Sequence, residues 1–210
     1  MHHHAKSHHK SKHISVNPAL WGPLIWNFLH ELAKDGNRLN SYNSDYNNII
    51  KAMPYILPCE SCRSHCLSAY NSNKISKSIS SPTKFKDWVW KMKSIANQNT
   101  NAVNLTFENY ISRLNARTSF ISEPDLWDLL FMISYSYPAS NDNSDDRQKY
   151  YILFFNSVIN LCEHFEHLSM FALLKNVFAN KLENYSAIHH HLSEHYKSIY
   201  GKYLDVKKYV

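Results

Sequence analysis

The 210-residue sequence predicts an all-α protein, and three observations carry that reading. Only three glycines are present, Gly22, Gly36 and Gly201, where average usage of ~7% would give roughly fifteen. Tight hairpins depend on Gly or Asn-Gly, and long stretches of this chain contain neither Gly nor Pro. Apolar residues also recur at i, i+3 and i+4, the spacing that lines one face of a helix.

The first element is a helix over 17–36. Pro18 lies near its start, Trp21, Leu24, Ile25, Phe28, Leu29 and Leu32 fall on one face, and Gly36 closes it. Residues 37–47, rich in Asn, Ser and Tyr, read as loop or helix start, and 46–53 as a short helix. Pro54 and Pro58 then bracket Tyr55-Ile56-Leu57, and Pro58 puts Cys59 in the first turn of a new helix. A linker over 78–84 leads to amphipathic helices at 84–98 and 105–115. After a pause at 116–124, a helix over 122–138 has Ser122 as cap and Pro124 in its first turn. A turn at 141–146 precedes helices at 147–182 and 184–203, which makes a set of small bundles with short connections.

Composition excludes several classes. Three isolated glycines cannot build a GxGxxG turn or a phosphate-cradling loop. No run of ~18 apolar residues exists, since Asn156 and Asn160 interrupt the best candidate at 150–162, so no membrane span is expected. The N-terminus has no apolar core of a secretory signal, and residues 1–16 read as a disordered His/Lys-rich tail. Six of the 14 histidines lie in its first 13 residues, where metal binding would be incidental. His189, His190, His191 and His195 read as a solvated helix face. The net charge of +6 is scattered beyond the tail, which suits solubility rather than a nucleic-acid partner.

An internal comparison suggests two units. Aligning Trp26 with Trp127 sets Pro23 opposite Pro124 and Leu29 opposite Leu130. Cys59-Glu60 and Cys162-Glu163 then follow at similar distances. In this register His30 becomes Phe131 and Cys62 becomes Phe165, so residues 119–210 read as a degenerate copy of 17–118 that has lost its polar chemistry. Cys162 is expected to be a buried free thiol.

Cys59-x-x-Cys62 at a helix start is the strongest chemical signal. The free amides and dipole there favour the thiolate, the species that attacks or leaves in disulfide exchange. Zinc competes, because Cys59, Cys62 and Cys66 share a helix face with His65 near, but no second cysteine pair completes a tetrahedral set. Buried, unreactive thiols are the third reading.

Trp21-Gly22-Pro23-Leu24-Ile25-Trp26-Asn27-Phe28-Leu29-His30 resembles the WGPxxWxxxH opening of the Erv/ALR family of FAD-dependent sulfhydryl oxidases, especially its virus-encoded members. Pro58-Cys59-Glu60-Ser61-Cys62-Arg63-Ser64-His65 is similar to its PCxxCxxH active site. Residues 85–97 occupy the place of its WxxxHNxVN helix, and Phe107-Glu108-Asn109-Tyr110 resembles its continuation. The likeness spans roughly residues 17–112. It departs where the family's His-Asn falls on Lys93-Ser94, where Gly36-Asn37 replaces Tyr-Pro, and in lacking a second shuttle CxxC.

The resemblance implies a helical bundle that holds FAD beside the cysteine pair, with Cys62 proximal to the flavin and Cys59 exchanging with a substrate dithiol. Trp26 and His30 would line the flavin with Trp21 and Gly22 near it, and His65, Lys93 and Asn97 join the cofactor-binding positions. No metal ligand is assigned. The implied activity is oxidation of protein thiols to disulfides, with electrons passing through FAD to molecular oxygen and giving hydrogen peroxide. The family dimerises through its early helices, which implies either a homodimer or an internal pseudo-dimer made by the second unit. The implied setting is the cytoplasm, in a virus-infected host cell or a virion. The alternative, motivated by Lys93-Ser94 and the degenerate copy, is a catalytically inactive oxidase-like scaffold or virion protein.

Overall fold

The structure, a computed structural model, describes residues 17–34, 39–72, 79–136, 147–162, 193–194 and 197. Gly36, the linker before residue 79, Tyr137-Pro138, the turn at 141–146 and most of the chain beyond Cys162 lie outside the described residues, as does the N-terminal tail. Seven helices form, and no strand occurs among the described residues.

Helix α1 (Pro18–Lys34) starts on Asn17, whose side-chain oxygen accepts from the Ala19 amide at 3.0 Å while its carbonyl accepts from Leu20. Pro18 sits at the first helical position, where a missing N–H is harmless. Trp21, Ile25, Phe28, Leu29 and Leu32 are buried along one face, as their spacing predicts.

Helix α2 (Leu39–Ile56) differs from the sequence expectation in starting earlier and running through Pro54. Tyr42 leaves helical geometry (φ −124°, ψ 28°) and bends it. Tyr46, Ile49, Ile50, Met53 and Ile56 are all buried. Burial of that stripe outweighs the weak propensity of the Asn- and Ser-rich start and the one intrahelical hydrogen bond that Pro54 cannot donate.

The other helices are α3 (Glu60–Asn71), α4 (Pro82–Gln98), α5 (Phe107–Ala116), α6 (Glu123–Tyr135) and α7 (Arg147–Cys162). Ser81, Thr106 and Ser122 cap α4, α5 and α6 by accepting from the amides of Lys84, Asn109 and Asp125, each at 3.3 Å. Ser122 is thus the cap that the sequence indicates.

Helix α4 packs against α1, α3 and α5. Helix α6 packs on α1, and α7 packs on α2. The α2–α7 pair is antiparallel, because Tyr55 stacks on Tyr150 at 3.8 Å while, at the other end, Asn160 donates to Asp45 at 3.1 Å. Arg147 clamps this corner by donating to the carbonyls of Tyr55 and Ser136, both at 3.2 Å. Phe28 meets Phe154 edge-on at 6.1 Å where α1 reaches α7. No described helix is long and apolar enough to cross a membrane.

Candidate functional site

The chain leaves α2 through Leu57-Pro58 and turns into α3 at Cys59. Cys59 is the N-cap rather than a first-turn residue, a correction of one position. Its backbone is extended (φ −114°, ψ 127°), and its sulfur accepts from the Cys62 amide at 3.3 Å. The Ser61 hydroxyl lies 3.1 Å from the same sulfur. Sulfur thus takes the place that a Ser or Asp oxygen normally fills. Arg63 donates to the Leu57 carbonyl at 2.8 Å and holds the approach to the turn.

Cys59 and Cys62 form a disulfide, with their Cα atoms 5.2 Å apart. Cys59 is 6% exposed, whereas Cys62 is only partly buried. Cys66, one turn further along, is a free and buried thiol, and burial pushes its pKa up to about 12. Two of the three clustered cysteines are bonded to each other and the third stays protonated. The bonded pair is able to exchange with thiols, whereas burial keeps Cys66 in its unreactive protonated form.

A second cluster forms where α1, α4 and α5 meet. His30 lies 6.5 Å from the Trp26 ring and 5.5 Å from those of Tyr110 and Phe120. Its Nδ1 is 3.3 Å from the Tyr110 hydroxyl. Burial, followed by the charges of Lys93, Arg113 and Arg117, lowers the His30 pKa to about 4, so the ring is neutral at physiological pH. Burial pushes the Tyr110 phenol well above its ordinary range. Lys93 reaches from α4 and holds its ammonium 4.8 Å from the Trp26 ring centroid. Burial and then Arg113 lower the Lys93 pKa. The sequence-derived trio of Trp26, His30 and Lys93 is therefore brought together.

Other expected positions fare differently. Trp21 is 5% exposed, and its indole Nε1 has no hydrogen-bond partner. The Nε1 of Trp88, also buried, is likewise unpartnered. Gly22 is partly buried, and a Cβ built there would meet nothing within 4 Å. His65 is exposed on α3. The Asn97 side chain donates to the Val103 carbonyl at 3.1 Å and holds the loop after α4.

Sequence reasoning missed four contributors to this region: Phe120, Arg113 and Arg117 around His30, and Glu31. Glu31 is 5% exposed, and its carboxylate accepts from the Ser119 hydroxyl at 3.0 Å, from the Phe120 amide and from the Ile121 amide at 3.4 Å. The only signal was a carboxylate between Leu29 and Leu32 on the apolar face of α1. On α6, Trp127 is fully buried and Phe131, which aligns with His30 in the internal sequence comparison, is 2% exposed. The corresponding face there is filled by apolar bulk. Phe165 lies outside the described residues, as does the Cys162 side chain.

The fold and these geometries define an all-helical domain with a CxxC disulfide capping one helix and an aromatic–histidine cluster on the helices beside it, α4 packing against both α1 and α3. Residues 23–114 match the Erv1/Alr family. The chain is also similar to a protein of Invertebrate iridescent virus 3 named "Putative FAD-linked sulfhydryl oxidase 096R", at 30% identity over 70 residues, which is 32% of this chain and 47% of that protein. The chain thus spans about half the length of that relative. No solved structure matches it.

Proposed function

We propose that the chain is an FAD-dependent sulfhydryl oxidase that converts dithiols of protein substrates into disulfides. The observation that carries this reading is the Cys59–Cys62 disulfide at the α3 N-terminus, within the segment that matches the Erv1/Alr family. The residues fit such a cofactor: buried Trp21 and Trp88 each hold an indole N–H with no acceptor, and Trp26 and neutral His30 offer planar faces. Trp21, Trp26, His30 and Lys93 would hold the flavin. When bound, FAD supplies the two-electron acceptor that drains the cysteine pair and delivers the electrons to oxygen as hydrogen peroxide.

The chain's own part is thiol–disulfide exchange. A substrate thiolate attacks the Cys59 sulfur and releases Cys62 as thiolate. The substrate's second thiolate then completes its disulfide and frees Cys59. In this reading the setting is the cytoplasm of a virus-infected cell or the virion, where the glutathione pool otherwise keeps thiols reduced. The viral source of the matched relative supports that setting.

The second unit replaces a partner subunit in this reading. The contacts α1–α6 and α2–α7 pair each early helix with its counterpart in the internal repeat, as a two-fold interface would. The chain is then a monomeric pseudo-dimer, and light scattering at micromolar concentration should give a mass near 24.6 kDa. A stable dimer would overturn this assignment.

Absorbance tests the main proposal. Purified protein should be yellow, with a flavin band near ~450 nm, and should consume oxygen when given a dithiol. A colourless chain that FAD cannot reconstitute would sink the oxidase reading in favour of an inactive scaffold.

A further inference from the structure

We propose that Ser61 is the hydrogen-bond donor that makes Cys59 a good leaving group when the mixed disulfide with substrate resolves. The inference rests on the exchange chemistry just described. In the first exchange the bond between substrate sulfur and Cys59 forms, the Cys59–Cys62 bond breaks, and its electron pair goes to Cys62. In the second, the substrate's other thiolate attacks the substrate sulfur of the mixed disulfide. The substrate disulfide forms, the bond to Cys59 breaks, and the electron pair goes to Cys59 Sγ. Both electrons taken from the substrate are then held by the reduced cysteine pair.

Two donors are already aimed at that sulfur. The Ser61 hydroxyl is 3.1 Å away and the Cys62 amide 3.3 Å away, at a cap position where the helix dipole also favours negative charge. A disulfide sulfur carries no proton, so the hydroxyl is the donor in the Ser61 contact. A divalent sulfur is a weak acceptor and a thiolate a strong one, so these bonds gain strength as the S–S bond breaks. Interactions that grow along a reaction accelerate it, whereas those of equal strength throughout do not. The amide comes with any helix start. The hydroxyl is a feature of this sequence, since Ser61 is placed by the turn from Cys59 into α3. Ser61 is exposed, so water competes with its bond and the effect is modest.

The test uses the full chain in its reduced form with Cys62→Ala, so that Cys59 cannot re-form its disulfide. Alkylation by iodoacetamide is followed across pH, with Cys59 read by peptide mass spectrometry. Adding Ser61→Ala should raise the alkylation midpoint and cut the Cys59 thiolate fraction at pH 7 about fivefold, while Ser61→Thr keeps a hydroxyl and restores it. In the chain with both cysteines, Ser61→Ala should slow dithiol turnover without changing flavin content. An Ala midpoint equal to that of the Ser61 chain would overturn the proposal. Failure of the oxidase reading shows separately, as absent flavin absorbance and oxygen uptake in the unsubstituted chain, and leaves the alkylation midpoints where they are.

Discussion

Lys93 holds its ammonium 4.8 Å from the centroid of the Trp26 ring, on the side of α1 that also carries His30. A lysine here does two things at once. It covers an aromatic face, and it places a positive charge beside an imidazole that burial already keeps neutral. Replacing it with Met keeps the stem and removes the charge. Because burial is the larger cause of the His30 shift, Lys93→Met should raise the His30 pKa from about 4 and still leave it below 6.5. NMR titration of the imidazole C–H signals measures this, and a value unchanged by the substitution would show that the charge does not reach the ring.

The same histidine sets a pH window for stability. The unfolded chain takes up a proton near 6.5, and the folded one only near 4. The unfolded state therefore binds more protons in between, so stability is complete above about 6.5, declines as pH falls through the window, and levels off below about 4. A shift of this size corresponds to a loss of about 3 kcal/mol when complete. Lys93, Arg113, Arg117 and the Tyr110 hydroxyl face the ring, and none supplies an anion that would offset the proton. Urea midpoints at pH 7 and pH 4.5 should differ by less in His30→Phe, the residue type that aligns with it at position 131.

Glu31 should be costly to remove. Its carboxylate satisfies two backbone amides and a hydroxyl at the entry to α6, where Phe120 and Ile121 are buried. Glu31→Ala leaves those amides without an acceptor and should destabilise the fold by about 2–4 kcal/mol, with Glu31→Gln retaining part of the difference. Thermal denaturation of the two variants reads this directly. Equal melting temperatures for Ala and the unsubstituted chain would mean that water reaches the junction.

The three cysteines at the start of α3 should separate in reactivity. Cys62→Ser should abolish dithiol-dependent oxygen consumption, since no disulfide remains to accept the substrate's electrons. Cys66, whose pKa lies at about 12, should stay unlabelled by iodoacetamide at pH 8 in the folded protein and react only after denaturation. Activity surviving in Cys62→Ser would point to Cys66 as the exchanging thiol.

Much of the fold could be read directly. The cap Ser122 and the stripe from Trp21 to Leu32 are local features, set by spacing and by a side chain three residues from the amide it meets, whereas the caps Ser81 and Thr106 were not singled out. Helix α2 was harder to read because its first turns are poor in helix formers. They fold by packing Tyr46, Ile49 and Ile50 against neighbours distant in sequence. Within the site, Cys59, Cys62, Trp26 and His30 were legible as a pattern. The roles of Glu31, Phe120, Arg113 and Arg117 were not, since they depend on which helices meet.

The sequence by itself determined the helical class, the position of the CxxC pair at a helix start and the spacing of Trp26 from His30, because each follows from local periodicity and capping chemistry. Tertiary structure alone decided that Lys93 lies over Trp26, that His30 is neutral, and that α6 and α7 close onto α1 and α2. Those outcomes rest on burial and on contacts across many residues of chain. Desolvation and long-range packing act only once the helices have come together, so no local stretch of sequence contains them.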